Sequence, residues 1–298
     1  MPKTQDMNLI KLVDQFHSEN RCREYLETLR WPNGVACLRC GSVKISRNYK
    51  RHQFICEDCK YNFSVTAGTI LHDTHLPFNK WFMAAYLMIE AKKGVSASQL
   101  QRTLDISYKT AWNLCHRIRA AVADASPVKL KGIVEIDETF VGGEVRGKGH
   151  GYKGNKAIVV GAVQREGKII LQVVPDRSRK TLHAFAGEAV HDDAEAIHTD
   201  DWRPYRGIGD DDTRHETVNH SAKEYVRGDA HTNGIEGVWS LLKRSIIGSY
   251  HKVSVKHLDA YLDELEWRFN NRDNPFLFRD TLLKLLQSEN LEYKALTA

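Results

Sequence analysis

The sequence predicts a multi-domain α/β protein, and three observations lead to this prediction. The chain has 298 residues, which is enough for two or three domains with separate cores. Its first part carries two Cys-x-x-Cys pairs among helical patterns, whereas the apolar residues after residue 131 alternate with the period of strands. The charge divides at the same place, because residues 1–131 hold 20 Lys and Arg against 11 Asp and Glu, and the remainder holds 23 against 27.

The bulk composition indicates a soluble protein with an anionic partner. Hydrophobic residues make up 42% and charged residues 27% of the chain, as in ordinary globular proteins. No apolar run approaches the ~20 residues of a membrane span, and the first residues lack the apolar core of a signal peptide. We therefore expect a cytoplasmic protein without a membrane partner. The basic first part favours nucleic acid as the partner, with a plain solvated surface as the alternative.

A zinc ribbon is predicted behind one or two short amphipathic helices in residues 8–29. The helices are ended by the sequence RWPNG, and a C-x2-C-x15-C-x2-C pattern follows, which is typical of two zinc knuckles. Zinc would stabilise a segment of about thirty residues that cannot build its own core. A redox-active thiol pair, the alternative, needs only one such motif. The expected zinc ligands are Cys37, Cys40, Cys56 and Cys59.

A helix-turn-helix is predicted after an apolar-faced helix in residues 76–94. Ser96 and Ser107 are suited to cap two consecutive helices, and a bare helical hairpin is the alternative. The second helix offers side chains for phosphate and base-edge contacts. Its expected exposed positions are Tyr108, Lys109, Asn113, His116, Arg117 and Arg119. The best DNA-binding candidates among them are Lys109, Asn113 and Arg117.

The last part of the chain has the element order of an RNase H-like fold. The strand GIVEIDETFVG precedes two β-rich runs joined by REGK, and then come a helix, the short strand AEAIHTD and further helices. This order predicts a mixed sheet covered by helices. The glycine-rich basic segment 142–156 is expected to hold a DNA strand or to form a solvated hairpin. The expected domains are an N-terminal helical segment (1–33), the zinc ribbon (34–75), the helix-turn-helix region (76–124), a linker (125–131) and the RNase H-like domain (132–298).

Three acidic residues of this domain fit a metal-dependent nuclease site. Asp137 lies in the middle of the first strand, Asp200 ends the short strand, and Glu236 lies in the first turn of the helix after HTNG. The first and fourth strands of an RNase H-like sheet are neighbours, so the two aspartates would meet. Carboxylates suit Mg²⁺ or Mn²⁺, and two such ions can bridge the attacking and leaving oxygens of a phosphodiester. Glu236 also has a structural alternative, since Asn233 as N-cap would complete a near capping box with it.

Neighbouring acids leave the assignment on the strands open. With a period of two, Glu135 shares the face of Asp137 and Glu138 takes the opposite face. A shift of one residue in register exchanges Asp200 and Asp201.

Four motifs behind the ribbon cysteines resemble those of bacterial insertion-sequence transposases. They are VEIDETFVGG, IHTDDWRPY, HTNGIEGVWSLLKR and YLDELEWRFNNR, in this order. The resemblance covers roughly residues 15–290 and is greatest to the group that joins a zinc ribbon to an ISXO-type DDE transposase domain. It implies an RNase H-like catalytic domain whose acidic triad binds two metal ions. The acids of the triad fall on Asp137, Asp200 and Glu236, with Asn233 as the alternative third residue.

The resemblance implies a DNA transposase that acts on terminal inverted repeats and on target DNA. Lys243, two turns after Glu236 on the same helix face, and the adjacent Arg244 are further DNA-binding candidates. Strand cleavage would free a 3′-hydroxyl that attacks the target, and joining two ends implies a homodimer or a larger synaptic assembly. Two other functions stay open: a DNA-binding regulator derived from an inactive transposase, and an RNase H-like nuclease or resolvase.

Overall fold

The computed structural model describes residues 7–124, 126–142, 156–209, 213–219, 222, 224 and 226–297. In chain order the helices are α1 (Leu9–Gln15), α2 (Glu19–Arg30), α3 (Phe78–Glu90), α4 (Ala97–Leu104), α5 (Tyr108–Val122), α6 (Arg179–Ala189), α7 (Asn233–Ser245), α8 (Leu258–Asn270), α9 (Leu277–Gln287) and α10 (Tyr293–Thr297). The strands are β1 (Ile45–Asn48), β2 (Gln53–Cys56), β3 (Asn62–Phe63), β4 (Leu130–Val141), β5 (Ala157–Gln164), β6 (Ile169–Val174), β7 (Val190–Asp200) and β8 (Arg214–Val218). None of the described helices is long and apolar enough to cross a membrane.

The chain divides into two units. The first contains Met1–Ala91, Val95–Val122 and Asp273–Ala298, and the second contains Lys92–Gly94 and Ala123–Arg272. The sequence predicts a last domain that extends to residue 298, whereas the structure places the final 26 residues, Asp273–Ala298, in the first unit. The pattern of α9 specifies a buried apolar face, but it does not specify which elements cover that face.

The helices of the first unit pack around a cluster of phenylalanines. Phe16, Phe82 and Phe278 meet with ring centroids 4.9 Å (Phe16 and Phe82) and 5.9 Å (Phe82 and Phe278) apart. Phe278 belongs to α9, which contacts α2, α3 and α5. This cluster explains why the C-terminal segment belongs to the first unit, since burial of such rings is among the largest apolar contributions to folding.

The ribbon is an antiparallel sheet of β1, β2 and β3 in that order. Its apolar contents are few: Trp31 packs edge-on against Phe54 and Phe63, with centroids 5.2 Å and 5.9 Å away. So small a core cannot hold a fold alone, which agrees with a requirement for metal.

The second unit is built on a five-stranded mixed sheet in the order β6-β5-β4-β7-β8. Strands β4, β5 and β6 form an antiparallel meander, and β7 and β8 run parallel to β4. Helix α6 forms the crossover from β6, at one edge of the sheet, to β7, which pairs parallel with β4. This is the RNase H-like order, and the predicted fold class is confirmed.

The period of β4 places its apolar and acidic side chains on opposite faces of the sheet. Val134 and Ile136 belong to the core beneath α6. Their neighbours Glu135 and Asp137 therefore point to the other face, where α7 and α8 pack. The acidic residues of β4 thus lie under helix α7.

Side chains of α8 satisfy the free backbone edge of β6. Asn270 accepts the N–H of Ile169 over 2.7 Å, and Glu266 accepts the N–H of Leu171. These contacts protect the edge from pairing with another chain. Burial raises the pKa of Glu266 to about 8 and that of neighbouring Asp263 to about 7.

Candidate functional site

The four predicted zinc ligands come together in the first unit. The Sγ atoms of Cys37 and Cys59 are 3.5 Å apart, and those of Cys40 and Cys56 are 3.6 Å apart. In the described part of the chain, these cysteines form the only group of three or more Cys, His, Asp or Glu whose ligand atoms all lie within 4.8 Å of one another. Four converging thiols are the donor set of a structural zinc site.

Two matching turns aim the thiols. Gly41 follows the first pair with φ +74°, and Lys60 follows the second with φ +58°. The backbone N–H groups of Arg39 and Cys59 point to the Sγ atoms of Cys37 and Cys56 at 3.4 Å and 3.5 Å. Such N–H groups stabilise thiolates, which are the form that binds zinc.

Because the thiols are crowded together, their pKa values differ from one cysteine to the next. Burial opposes ionisation of Cys37, but N–H groups of the Cys40 and Arg39 backbones lower its pKa to about 6. Cys40 receives the N–H of Ser42, yet contacts with the thiols of Cys59 and Cys56 raise its pKa to about 12. Zinc would displace the remaining protons on binding.

Asp137 and Asp200 stand on adjacent parallel strands. The pairing of β4 with β7 ends at Glu135 and His198. Two residues further along each strand stand Asp137 and Asp200, and the charge of Asp200 acts on the Asp137 carboxyl. The alternative Asp201 comes one residue later, after the strand has ended. Burial, then Glu138, and also Asp200 raise the pKa of Asp137 to about 7.

A tryptophan from α7 and a glycine from β5 fix the surroundings of Asp137. Trp239 Nε1 donates to Asp137 Oδ2 over 2.9 Å. Gly161 is the pairing partner of Asp137 on β5, and a Cβ there would lie 2.6 Å from the Trp239 ring. The missing side chain lets the indole lie close against the sheet beside Asp137.

Glu135, the alternative to Asp137, joins β4 to the start of α7. Its side chain is 1% exposed and accepts the N–H groups of Gly234 (2.7 Å) and Ile235 (3.1 Å). Arg165 Nε donates to it over 3.1 Å, and His231 Nδ1 lies 3.2 Å away. A carboxylate at a helix N-terminus satisfies free N–H groups and the helix dipole. Glu135 is therefore bound within the fold, and Gly234 makes room for it, since a Cβ would lie 2.8 Å from its Oε2.

Arg165, in the turn between β5 and β6, links two further segments to this carboxylate. Besides Glu135, its guanidinium contacts His198 Nδ1 at 3.2 Å and donates to the carbonyl of Asp229 over 2.7 Å. The sequence analysis does not identify Arg165, because a turn REGK carries no signal of such long-range contacts.

Glu138 faces the other side of the sheet, as its period predicts. It accepts the hydroxyl of Tyr205 over 2.6 Å and pairs with Arg177 over 2.9 Å. The Arg177 guanidinium lies 4.5 Å from the Trp202 ring. Trp202 and Tyr205 of the IHTDDWRPY motif thus hold the chain that follows Asp200 onto β4.

The structure places Glu236 at the surface of the first turns of α7. The N-cap of the helix is Thr232, not Asn233, and the Thr232 side chain accepts no helix N–H, because Glu135 accepts those of Gly234 and Ile235. The capping-box alternative is therefore wrong. Glu236 Oε1 is 3.4 Å from Thr232 Oγ1. In the described part of the chain, the carboxylates of Asp137, Asp200 and Glu236 are not all within 4.8 Å of one another.

The helix-turn-helix candidates differ in accessibility. Helices α4 and α5 pack together, with Asp105 at φ +48° in the turn. Tyr108 is 51% exposed, Lys109 is exposed with Nζ 4.6 Å from the Tyr293 ring, and Asn113 is half-buried.

Three predicted positions of α5 do not face solvent freely. His116 and Arg119 are buried, so the expectation of exposure is wrong for them. Helix α5 packs against α3, α4 and α9. Arg117 donates to the carbonyl of His72 and to Asn290, and burial lowers its pKa. On α7, Lys243 and Arg244 are exposed. Most of the basic segment 142–156, namely residues 143–155, lies outside the described residues.

Comparison with known proteins gives concordant matches. The family model of the ISXO2-like transposase domain matches residues 129–270, and that of the transposase zinc-ribbon domain matches residues 17–62. The chain is 30% identical over 281 residues to the uncharacterized protein in transposable element ISH50 of Halobacterium salinarum, across 86% of this chain and 92% of that protein. It is 31% identical over 106 residues to an uncharacterized transposase-like protein of Haemophilus influenzae, across 36% of this chain and 84% of that protein.

Solved structures give weaker similarities. The Mos1 strand transfer complex matches 69% of this chain and 75% of its own, with 12% identity and a TM-score of 0.30. A simian T-cell lymphotropic virus intasome in complex with a PP2A regulatory subunit matches 66% of this chain and 67% of its own, with 14% identity and a TM-score of 0.27. These TM-scores are too low to define a shared fold.

Proposed function

This chain belongs to the insertion-sequence transposases that join a transposase zinc ribbon to an ISXO2-like transposase domain, and from that premise we propose that it cuts the ends of an insertion sequence and joins them to target DNA. The observation that carries the proposal is the position of Asp137 beside Asp200 on the face of the sheet under α7. A pair of partly buried carboxylates is costly unless a cation neutralises it.

Asp137, Asp200 and Glu236 are proposed as the carboxylates that hold two Mg²⁺ or Mn²⁺ ions. Their hard oxygen atoms fit these cations, and the mutual repulsion of the aspartates is what a cation would relieve. Bound there, the ions would supply charge neutralisation at the attacking and leaving oxygens of the phosphodiester. The protein itself orients the Asp137 carboxylate, because the Trp239 indole N–H donates to one of its oxygens.

Helix geometry supports Glu236 over Asn233 as the third residue. With 3.6 residues per turn, Glu236 lies about 60° around α7 from Trp239, and Asn233 lies about 120° away. Trp239 touches Asp137, so the side of the helix that carries Glu236 is the closer one to the aspartates. Lys243 lies about 40° from Trp239, on the same side, where its ammonium group could bind a phosphate of the DNA.

The first unit is proposed to bind the terminal inverted repeat. The N-terminal end of α5, with exposed Tyr108 and Lys109, is the part of a helix-turn-helix that reaches base edges. Burial of His116 and Arg119 restricts the contact to this end. Two ends must be joined in one reaction, so a homodimer or larger assembly on DNA belongs to the proposal.

An assay with labelled DNA separates this function from its two rivals. Wild-type protein is incubated with Mg²⁺, a duplex that carries the element end, and a supercoiled target. The proposal expects nicked ends and end–target joint molecules. Cleavage without joint molecules would instead identify a nuclease or resolvase, and binding without cleavage would identify a regulator.

A further inference from the structure

We propose that a cleft in the first unit, beside the tip of the β1–β2 hairpin, binds a backbone phosphate of DNA. The cleft has a volume of about 440 Å³ and is lined by residues from the hairpin tip, from α2 and from the segment before α3. The lining residues that carry the argument are Arg23, Arg51, His52, His75 and Phe78. This inference rests on the proposed function and adds the location of one DNA contact.

The hairpin tip concentrates basic side chains without neutralising them. Lys50, Arg51 and His52 are consecutive and exposed, and the stretch from Ile45 to Phe54 contains no acidic residue. Within the described part of the chain, the side chains of these three residues have no ion-pair partner. The uncompensated charge at this tip is therefore available to an anion.

The backbone holds the tip in one conformation. Asn48 pairs with Gln53 at the end of the two strands, and Asn48 Oδ1 accepts the N–H of Arg51 over 3.2 Å. His52 follows with φ +51°, which closes the four-residue loop. A tip that is already ordered loses little entropy when its arginine binds a ligand.

Arg23 and its acidic neighbour Glu19 both line the cleft. The Arg23 side chain is 15% exposed, its Nη2 lies 3.8 Å from Glu19 Oε1, and its guanidinium lies 5.4 Å from the Phe78 ring. The other carboxylate oxygen of Glu19 accepts the N–H of Phe78 over 2.8 Å. Glu19 is therefore paired with Arg23 and with the start of α3, and Arg51 gives the cleft a net positive charge.

These features fit a phosphate diester better than a base. A guanidinium binds phosphate oxygens in a planar fork, and exposed His75 faces the cleft from the segment before α3. A phosphate contact orients a protein on the duplex without reading its sequence. The ribbon would thus set the position of the first unit on the inverted repeat, while α5 reads base edges.

The test compares two charge-removing variants of the full-length, zinc-loaded protein. Arg51→Gln removes the cation at the cleft. Lys60→Gln removes an exposed cation of the same ribbon that already pairs with Glu57 over 3.3 Å and does not line the cleft. Binding to an element-end duplex and to a scrambled duplex is measured by fluorescence anisotropy at several salt concentrations. Zinc content and circular dichroism verify that both variants are folded.

Arg51→Gln is expected to weaken binding to both duplexes by the same factor, about tenfold. The slope of log K against log salt should become shallower by about one. Arg51→Lys should restore part of the affinity and the full slope, and Lys60→Gln should match the wild type. Unchanged affinity and slope in Arg51→Gln, with normal binding by the wild type, would overturn this inference alone. Absence of DNA binding by the wild type would overturn the proposed function as well.

Discussion

Trp239 of α7 donates its indole N–H to Asp137 of β4 over 2.9 Å, and this contact ties the helix that carries Glu236 to the strand that carries the first aspartate. The indole can approach because Gly161 on β5 has no side chain. Replacement of Trp239 by Phe keeps an aromatic ring in the core, removes the donor and leaves the side chain smaller. We expect end cleavage to slow about tenfold, the worth of one hydrogen bond to a charged group, while DNA affinity stays at the wild-type value.

Single-turnover cleavage at saturating protein measures this effect. Trp81→Phe is the matched control, because Trp81 Nε1 also donates to a side chain, Thr74 Oγ1, over 2.9 Å, but lies in the first unit, which contains none of the proposed catalytic acids. Equal cleavage rates for Trp239→Phe and the wild type would show that the indole N–H does not orient Asp137.

Alanine substitutions at two glycines of α7 should change the free energy of unfolding in opposite directions. A Cβ at Gly234 would lie 2.8 Å from Glu135 Oε2, whereas a Cβ at Gly237 meets nothing within 4 Å. Gly234→Ala should lower the free energy of unfolding by roughly 1–3 kcal/mol, because Glu135 must give up hydrogen bonds in a buried position. Gly237→Ala should raise it by up to about 1 kcal/mol through helix propensity. Urea unfolding followed by far-ultraviolet circular dichroism measures both, and stabilisation by Gly234→Ala would contradict the role given to Glu135.

Glu266 makes the stability of the second unit depend on pH. Burial raises its pKa from 4.5 to about 8, so between these values the unfolded chain ionises while the native chain keeps its proton. The free energy of unfolding contributed by this group is fully present below pH 4.5 and is lost as the pH rises through about 8. Glu266→Gln still accepts the N–H of Leu171 and does not titrate, so its stability should fall less than that of the wild type between pH 5 and pH 8.

Glu195→Gln is the control for this pH series, because the side chain of Glu195 is 61% exposed in the same unit. It should follow the wild-type curve in urea unfolding at each pH. Parallel curves for Glu266→Gln and the wild type would mean that Glu266 is ionised in the native protein.

The ribbon should depend on zinc held by its four thiols. Replacement of Cys37 and Cys40 by Ser removes half of the cluster, so we expect loss of bound zinc, loss of the ribbon fold and weaker binding to the element end. Cys22→Ser is the control, because Cys22 is buried outside the cluster and its Sγ donates to the carbonyl of Phe16. Atomic absorption measures the metal, and one zinc ion per chain in the Cys37/Cys40 variant would exclude this site.

The sequence predicts the strands and the positions of the acids because their signals are local. Alternation in GIVEIDETFVGG predicts that Asp137 lies on the opposite face of the sheet from Val134 and Ile136, and in the structure it does. The ribbon is equally predictable, since the spacing of Cys37, Cys40, Cys56 and Cys59 nearly determines which atoms can converge.

Contacts between distant segments could not be read in the same way. Nothing near Glu135 in the sequence indicates that it binds the N–H groups of Gly234 and Ile235, about a hundred positions later. The apolar face of α9 likewise does not reveal that it packs against α5. Periodicity defines which face of an element is buried, whereas the partner that buries it is chosen by the tertiary fold.

The most direct test of the account is binding of Mn²⁺ to the complex with element-end DNA, measured by electron paramagnetic resonance. Asp137→Asn, Asp200→Asn and Glu236→Gln are compared with Asn233→Ala and Asp201→Asn, which change the two neighbouring alternatives. The account predicts that each of the first three variants loses bound Mn²⁺ and end cleavage while it still binds DNA, and that the last two keep all three properties. Full Mn²⁺ binding by Glu236→Gln, together with its loss in Asn233→Ala, would contradict the assigned triad.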